Sequence, residues 1–321
     1  MSVLVISARE VEQTVSMEVA VRAVESAFAA YARGETSMPA KVYLDLPDVG
    51  GDFRAMPARA GNYAGLKWVN CHPLNPAEHN LPTVLATYIL NDSRTAQPLA
   101  ILDGTLITAL RTGAAAGVAS KYLAPRDPKT LGIIGCGAQA PHFVAAHRVV
   151  FPSIHVRCYD RDASASERLA SALGGEAVNL DGAAGCDIVC TGTPSREPFL
   201  GPDLLAKNAH INAMGADAEG KQELTAEVLH KSRVIIDDEA QACHSGEVNV
   251  PLHTGAYSKE MLSGTLGEVV AGLKPGREGA TGWTVFDSTG LAIQDLFLAI
   301  ECYRAAQASG VGQSVDLSAN S

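Results

Sequence analysis

The chain has 321 residues, 47% of them hydrophobic but only 5% aromatic, and a formal charge of −10. Two domains of ordinary size fit that length, with a large core made mostly of Ala, Val, Leu and Ile. The acidic balance and the absence of any Lys/Arg run disfavour nucleic acid and anionic membrane as partners. Seven scattered cysteines, odd in number and without a C-x-x-C pair, imply neither a disulfide framework nor a zinc site. With a start too short and too poor in basic residues for a signal peptide, and no apolar stretch of membrane-spanning length, the expectation is a cytoplasmic protein without a metal centre.

In chain order, residues 3–6 read as a strand. Ser7 and Glu10 have capping-box spacing, and Ser16 can cap a longer helix that ends at Gly34. That helix carries an apolar stripe of Ala20, Val24, Ala27, Phe28 and Tyr31. Strand-like pieces follow at 41–46, 52–56, 64–70, 83–91 and 99–103, divided by turn signals at 47–51 and 91–93. Strands with so little helix between them predict an antiparallel sheet. Helix returns at 105–122, and residues 124–128 read as a linker.

From Thr130 the pattern alternates. Strands are expected at 131–134, 154–159, 187–191, 210–213 and 234–237, with helices between them, in a doubly wound parallel sheet. Asp287 and Ser288 look like the entry to a long helix at 291–309, and 310–321 is a small polar tail expected to fray. The fold class is therefore α/β: a Rossmann-type dinucleotide domain at 125–290, and an α+β domain made of 1–124 with 291–321.

The most informative stretch is Thr130-Leu-Gly-Ile-Ile-Gly-Cys-Gly-Ala-Gln-Ala140. Gly135, Gly137 and Ala140 fall at G-x-G-x-x-G/A spacing directly after a buried strand and before a helix. The first glycine suits a tight turn, the second a close approach of backbone N–H groups to a pyrophosphate, and the small third residue the packing of helix on strand. The helix N-terminus faces the phosphates with its positive dipole end. Asp160, ending the next strand, can accept hydrogen bonds from an adenosine ribose.

A dinucleotide domain implies redox chemistry and leaves the substrate to the other domain. There Arg54, Lys67 and Arg111 are the notable cations. Lys67 interrupts an apolar strand, so it points either to water or into a pocket. Three cations in an acidic protein suit capture of a carboxylate, although each taken alone reads first as a surface charge. Asp217 follows a parallel strand at the end where such sheets bind ligands; it is either a general base or a solvated loop acid. The histidines lack ligand spacing, and Cys186 and Cys190 read as core thiols.

Together these stretches resemble the ornithine cyclodeaminase/μ-crystallin family. The matching features run in order through most of the chain: Met38-Pro-Ala-Lys-Val-Tyr43, Gly51-Asp-Phe-Arg-Ala-Met-Pro57, Lys67-Trp-Val-Asn70 with His72-Pro73, Asn80-Leu-Pro-Thr83, Ile107-Thr-Ala-Leu-Arg-Thr-Gly113, Gly135-Cys-Gly-Ala-Gln-Ala140, Gly215-Ala-Asp-Ala-Glu-Gly-Lys221 and Val285-Phe-Asp-Ser-Thr-Gly-Leu-Ala-Ile-Gln-Asp295. The resemblance implies a homodimer, a substrate and dimerisation domain from both chain ends, and a Rossmann domain between them. It implies that Lys67 and Arg111 hold the substrate carboxylate and that Asp217 is the acid/base residue. Thr83, Thr112, Ala138, Gln139, Asp160, Thr191, Met214, Lys221 and Ser288 match cofactor positions, and Gly215 lies among them.

One departure matters. Ornithine cyclodeaminases carry a glutamate just ahead of the Met-Pro that matches Met56-Pro57, where this chain has Arg54. The Arg-Ala-Met-Pro form looks like the archaeal alanine dehydrogenase branch, and Lys41 fits that branch as a further substrate residue. Asp160 favours NAD by repelling a 2′-phosphate; Arg161 beside it leaves NADP open. The expected activity is oxidoreduction at the Cα–N bond of a small amino or cyclic imino acid, such as alanine or pyrroline-2-carboxylate. The alternatives are an NAD-recycling ornithine or lysine cyclodeaminase, and a non-enzymatic dinucleotide or small-ligand binding protein.

Overall fold

The computed structural model describes residues 2–277, 279 and 281–317. The chain forms two compact units. One runs to Arg111 and resumes at Leu291; the other is Thr112–Gly290. The division falls inside the helix Gly104–Leu123.

The first unit begins with β1 (Ser2–Ile6), the helix Ala8–Thr14 closed by the Ser7/Glu10 capping box, and the helix Met17–Ala32, whose Ser16 side chain accepts from the Val19 N–H. β2 (Thr36–Ser37), β3 (Val42–Leu46), β4 (Gly51–Ala60), β5 (Tyr63–Cys71), β6 (Val84–Asp92) and β7 (Pro98–Asp103) follow. The second unit contributes β8 (Thr130–Ile134), β9 (His155–Tyr159), β10 (Glu176–Ala177), β11 (Ile188–Thr191), β12 (His210–Ala213), β13 (Ser232–Ile236) and β14 (Trp283–Asp287). The helix Ala292–Ser309 and β15 (Gln313–Asp316) complete the first unit.

Among the described residues the first sheet has eight strands, ordered β15-β1-β7-β6-β5-β4-β2, with β3 on β4. It is mixed rather than antiparallel throughout, because β1 pairs with β7 in parallel. The tail expected to fray instead supplies β15, antiparallel to β1; residues 318–321 of that expectation lie outside the described residues.

Period-2 alternation decides which side chains of this sheet are buried. Met56, Lys67, Tyr88 and Leu102 are successive cross-strand partners and all are buried, on the face against which Ala292–Ser309 packs. The opposite face exposes Val42, Leu44, Trp68, Leu85 and Ile89, with Phe53 stacked on Trp68 at 5.1 Å between ring centroids. Lys67 is thus on the buried side because its register is that of Met56 and Tyr88.

The second unit is a parallel sheet ordered β10-β9-β8-β11-β12-β14-β13. Ile134, Val189, Ile211, Val234 and Val285 from five of its strands meet in one core. Strand order reverses between β8 and β11, and the crevice outside such a reversal is where open α/β sheets bind ligands. The sequence reading missed β14, which lies between β12 and β13. Asp287 ends that strand and Leu291 is the helix N-cap, so Asp287 and Ser288 are not the helix entry expected for them. Among the described residues, no helix is long and apolar enough to cross a membrane.

Candidate functional site

In the first unit a charged cluster sits on the buried face of the sheet. The Lys67 ammonium, on β5, donates to both carboxylate oxygens of Asp295, at 2.9 and 2.8 Å. Lys67 is 1% exposed and Asp295 0%. Arg111, buried on the helix Gly104–Leu123, donates from Nη1 to Gln294 Oε1 at 3.0 Å. Its Nε lies 3.3 Å from Asp295 Oδ1, within ion-pair reach but without hydrogen-bond alignment. Gln294 Oε1 also accepts the Leu291 N–H at 3.2 Å, so the residue that anchors Arg111 also ties down the helix start.

Burial pushes the Lys67 ammonium down to about 7. Asp295 opposes that fall, while the charges of Arg111 and Lys41 add to it. Three buried polar atoms of the cluster, Arg111 Nε, Gln294 Nε2 and Tyr88 Oη, have no hydrogen-bond partner among the described residues. Burial, and then the Asp295 charge, push the Tyr88 phenol well above its usual range, so it stays neutral.

Arg54 is buried on β4, two residues from Met56. Its guanidinium is clamped by Asp52, Nε to Oδ1 at 3.0 Å and Nη2 to Oδ2 at 2.8 Å, and lies over the Tyr43 ring. Lys41 is half-buried just before β3. Thr83, just before β6, accepts the His72 N–H through its carbonyl.

In the second unit the glycine-rich loop has the geometry its spacing implies. Gly135 adopts φ +96°, and a Cβ there would lie 2.7 Å from the Gly192 carbonyl oxygen. Its N–H donates to Tyr159 O at 2.9 Å. Gly137 differs: a Cβ there would meet nothing within 4 Å. Ala138 is exposed, Gln139 is half-buried and precedes the helix Ala140–Val150, and the loop therefore leaves open space at a helix N-terminus. That space, together with Asp160 at the end of β9, fits a dinucleotide. Asp160 Oδ2 accepts the Cys136 N–H at 2.7 Å and Oδ1 accepts the Asp162 N–H at 2.9 Å, which fixes the carboxylate beside the loop.

Thr191, Met214, Gly215 and Ser288 are brought together at the ends of β11, β12 and β14. The Met214 N–H donates to Thr191 O and the Ser288 N–H to Ala213 O. Glu223 accounts for the rest. Its buried carboxyl accepts from the Thr191 hydroxyl at 2.5 Å, the Thr193 N–H and hydroxyl at 2.8 and 2.7 Å, and the Gly215 N–H at 3.0 Å. Thr112, next to Arg111 in sequence, is half-buried on its helix.

Asp217, after β12, accepts from the Lys221 ammonium at 2.6 Å, with the Lys221 side chain 19% and the Asp217 side chain 38% exposed. Two positions expected to serve different roles are thus one ion pair. Among the described residues, no group of three or more His, Cys, Asp or Glu could hold a metal ion.

Sequence reasoning missed Asp295, Gln294, Tyr88 and Glu223. A signal existed for the first two. Gln294-Asp295 interrupts an otherwise apolar run, Gly290-Leu-Ala-Ile-Gln-Asp-Leu-Phe-Leu298, and adjacent polar residues in a helix flanked by apolar ones on both sides are inward-facing candidates.

Residues 1–310 match the ornithine cyclodeaminase/mu-crystallin family. The chain is 46% identical over 320 residues to an alanine dehydrogenase from Archaeoglobus fulgidus, covering 98% of each. It is 35% identical over 328 residues to an iminosuccinate reductase from Paracoccus denitrificans, with 98% of this chain and 100% of the relative covered. Among solved structures, an archaeal alanine dehydrogenase dimer with bound NAD superposes with a TM-score of 0.95 at 46% identity, over 99% of this chain and 100% of that one. Delta(1)-pyrroline-2-carboxylate reductase from Thermococcus litoralis, in complex with NADH and L-proline, gives a TM-score of 0.92 at 34% identity, over 97% and 100%.

Proposed function

From the premise that this chain belongs to the ornithine cyclodeaminase/mu-crystallin family, we propose that it is an NAD-dependent oxidoreductase acting on the Cα–N bond of a small amino or imino acid, with alanine, and pyruvate plus ammonia, as the first pair to test. The observation that carries the reading is the buried cation pair. Lys67 and Arg111 sit together, and Arg111 Nε and Gln294 Nε2 are desolvated donors without an acceptor. An unpaired buried donor costs about 1–3 kcal/mol, so a cluster that keeps two of them suits a ligand that brings the acceptor. A carboxylate fits, since a guanidinium and an ammonium can share its two oxygens.

In this reading Lys67 and Arg111 hold the substrate carboxylate, with Lys41 adding to the field, and so fix the position of the Cα–H bond for hydride transfer. Bound at Gly135–Gln139, NAD supplies the hydride acceptor. Thr83, Thr112, Thr191, Met214, Gly215 and Ser288 position the cofactor, and Asp160 holds its ribose. Asp217, held by the Lys221 ammonium, takes the proton released as the imine forms and activates water for imine hydrolysis. The alanine dehydrogenase relative supports alanine; the pyrroline-2-carboxylate reductase supports a cyclic imine reduced by the same step.

Ornithine cyclodeamination would use the same hydride transfer. Where the cyclodeaminases offer a glutamate this chain presents the Arg54 guanidinium, which would repel a side-chain amine, and Asp52 beside it is already engaged by that guanidinium. The apolar outer face of the first sheet, around Trp68, supports a homodimer.

The test is absorbance at 340 nm with NAD and alanine or proline, and with NADH and pyruvate plus ammonia or pyrroline-2-carboxylate. Turnover with one of these is expected. No change with any of them from pH 6 to 10 would remove the proposal, and ammonia released from ornithine without net NADH would replace it with the lyase.

A further inference from the structure

We propose that Asp295 is a positioning residue that keeps Lys67 charged and aims Lys67 and Arg111 at the substrate carboxylate; this rests on the reading of those two cations as carboxylate ligands. Neither the sequence motifs nor the substrate chemistry assigned Asp295 a task, yet it is the carboxylate around which the cluster is built. It is fully buried, takes two of the three ammonium protons of Lys67 at 2.9 and 2.8 Å, and stands 3.3 Å from Arg111 Nε. The two cations belong to different elements, β5 and the helix Gly104–Leu123, and Asp295 comes from a third, the helix Ala292–Ser309. No backbone interaction would hold an ammonium and a guanidinium side by side in a dry site; their mutual repulsion and the loss of hydration both oppose it.

A shared carboxylate between them solves both problems. It also leaves a specific remainder. An ammonium has three protons, so Lys67 keeps one for an incoming acceptor, and Arg111 keeps its Nε unaligned. Two cations and one carboxylate leave this trio with a net positive charge, and that charge is the attraction for an anionic ligand.

The groups that act on Lys67 can be named. Asp295 is the anion. Arg111 and Lys41 are the cations that work against its protonation, and burial works in the same direction. Tyr88, its cross-strand partner on β6, is a neutral phenol. Met56, its partner on β4, carries no charge. Asp295 is therefore the group among these that retains the Lys67 proton near neutral pH. Asparagine at this position would keep the shape and one acceptor but remove the charge, and the ammonium would lose its proton at a lower pH.

The experiment uses the full-length protein with Asp295→Asn and Asp295→Glu. Lysine labelled at Cε is observed by carbon NMR without substrate, with the Lys67 signal assigned from Lys67→Met. In parallel, kcat/KM for the amino or imino acid is followed against pH. The wild-type Lys67 signal should titrate near pH 7. In D295N both that titration and the alkaline limb of kcat/KM should move at least one unit lower, so that KM at pH 8 rises about tenfold or more while kcat changes much less. D295E, with the charge retained, should leave the limb within about half a unit of wild type.

An unmoved Lys67 titration in folded D295N, or a loss confined to kcat, overturns the proposal. Should D295N fail to fold, D295E decides, because a full-unit shift there contradicts a role through charge. If the wild type turns over no substrate, the functional reading fails while the Lys67 titration still judges Asp295 on its own.

Discussion

Asp160 shows what a single residue can do in two roles. Its carboxylate accepts the Cys136 N–H and so braces the glycine-rich loop, and the same group is the one proposed to hold the cofactor ribose. Replacing it with serine removes a negative charge that repels a 2′-phosphate. Asp160→Ser should therefore raise kcat/KM with NADP relative to NAD by about tenfold or more, the equivalent of one pKa unit of differential interaction. Initial rates with both cofactors check this, and an unchanged ratio would refute the ribose assignment. Lys67 was legible in the sequence as an oddity in an apolar strand, but its orientation was not. What sets that orientation is its register with Met56 and Tyr88 and its partner Asp295, 228 positions away, and neither can be read from local pattern.

At the scale of elements, the loop between β8 and the helix Ala140–Val150 contains two glycines to which the motif gives different tasks, and their surroundings differ too. Gly135 has φ +96° and a neighbouring carbonyl where a Cβ would sit; Gly137 has open space. Gly135→Ala should destabilise the fold by about 1–3 kcal/mol through backbone strain and overlap. Gly137→Ala should leave thermal stability nearly unchanged yet weaken NAD binding, since the added methyl would occupy the space that admits a phosphate. Thermal melts and NAD titrations of both variants would show a stability loss in one and an affinity loss in the other. The reverse pattern would mean that the cofactor does not lie on this loop.

Strands with continuous apolar runs, such as β8 and β11, were readable, as were capped helices such as Met17–Ala32. β14 was not, because its last residue runs into Asp287-Ser-Thr-Gly290, which has the composition of a helix entry. Its strand character comes from pairing with β12 and β13, a tertiary effect. β15 was hidden for the same reason: a short polar strand exists only because β1 offers an edge.

For the molecule as a whole, the first unit's sheet has one face packed on its own helices and the other studded with Val42, Leu44, Trp68, Leu85 and Ile89. A contiguous exposed apolar face of this kind marks an interface. It matches the dimer proposed from the family, because a two-fold contact needs one patch that complements itself. Trp68→Glu should convert the dimer to monomer in sedimentation or light scattering at micromolar concentration, and a dimer that persists would move the interface elsewhere.

The switch to alternating strand and helix at Thr130 is the sequence feature on which two domains are expected. The division itself, between Arg111 and Thr112, lies inside one uninterrupted helix that carries no turn signal.

Glu223 is one of a series. Its own N–H and that of Leu224 donate to the Glu247 carboxyl, and the N–H groups of Glu247 and Val248 donate to Asp287. Asp237 likewise receives the Thr289 and Gly290 N–H groups. Burial raises the Glu223, Glu247 and Asp287 carboxyls, with Asp287 at about 8. Segments that look like ordinary loops are thus stitched to one another from beneath. A molecule arriving above them would meet a rim already frozen in shape, and little of its affinity would be lost to immobilising peptide.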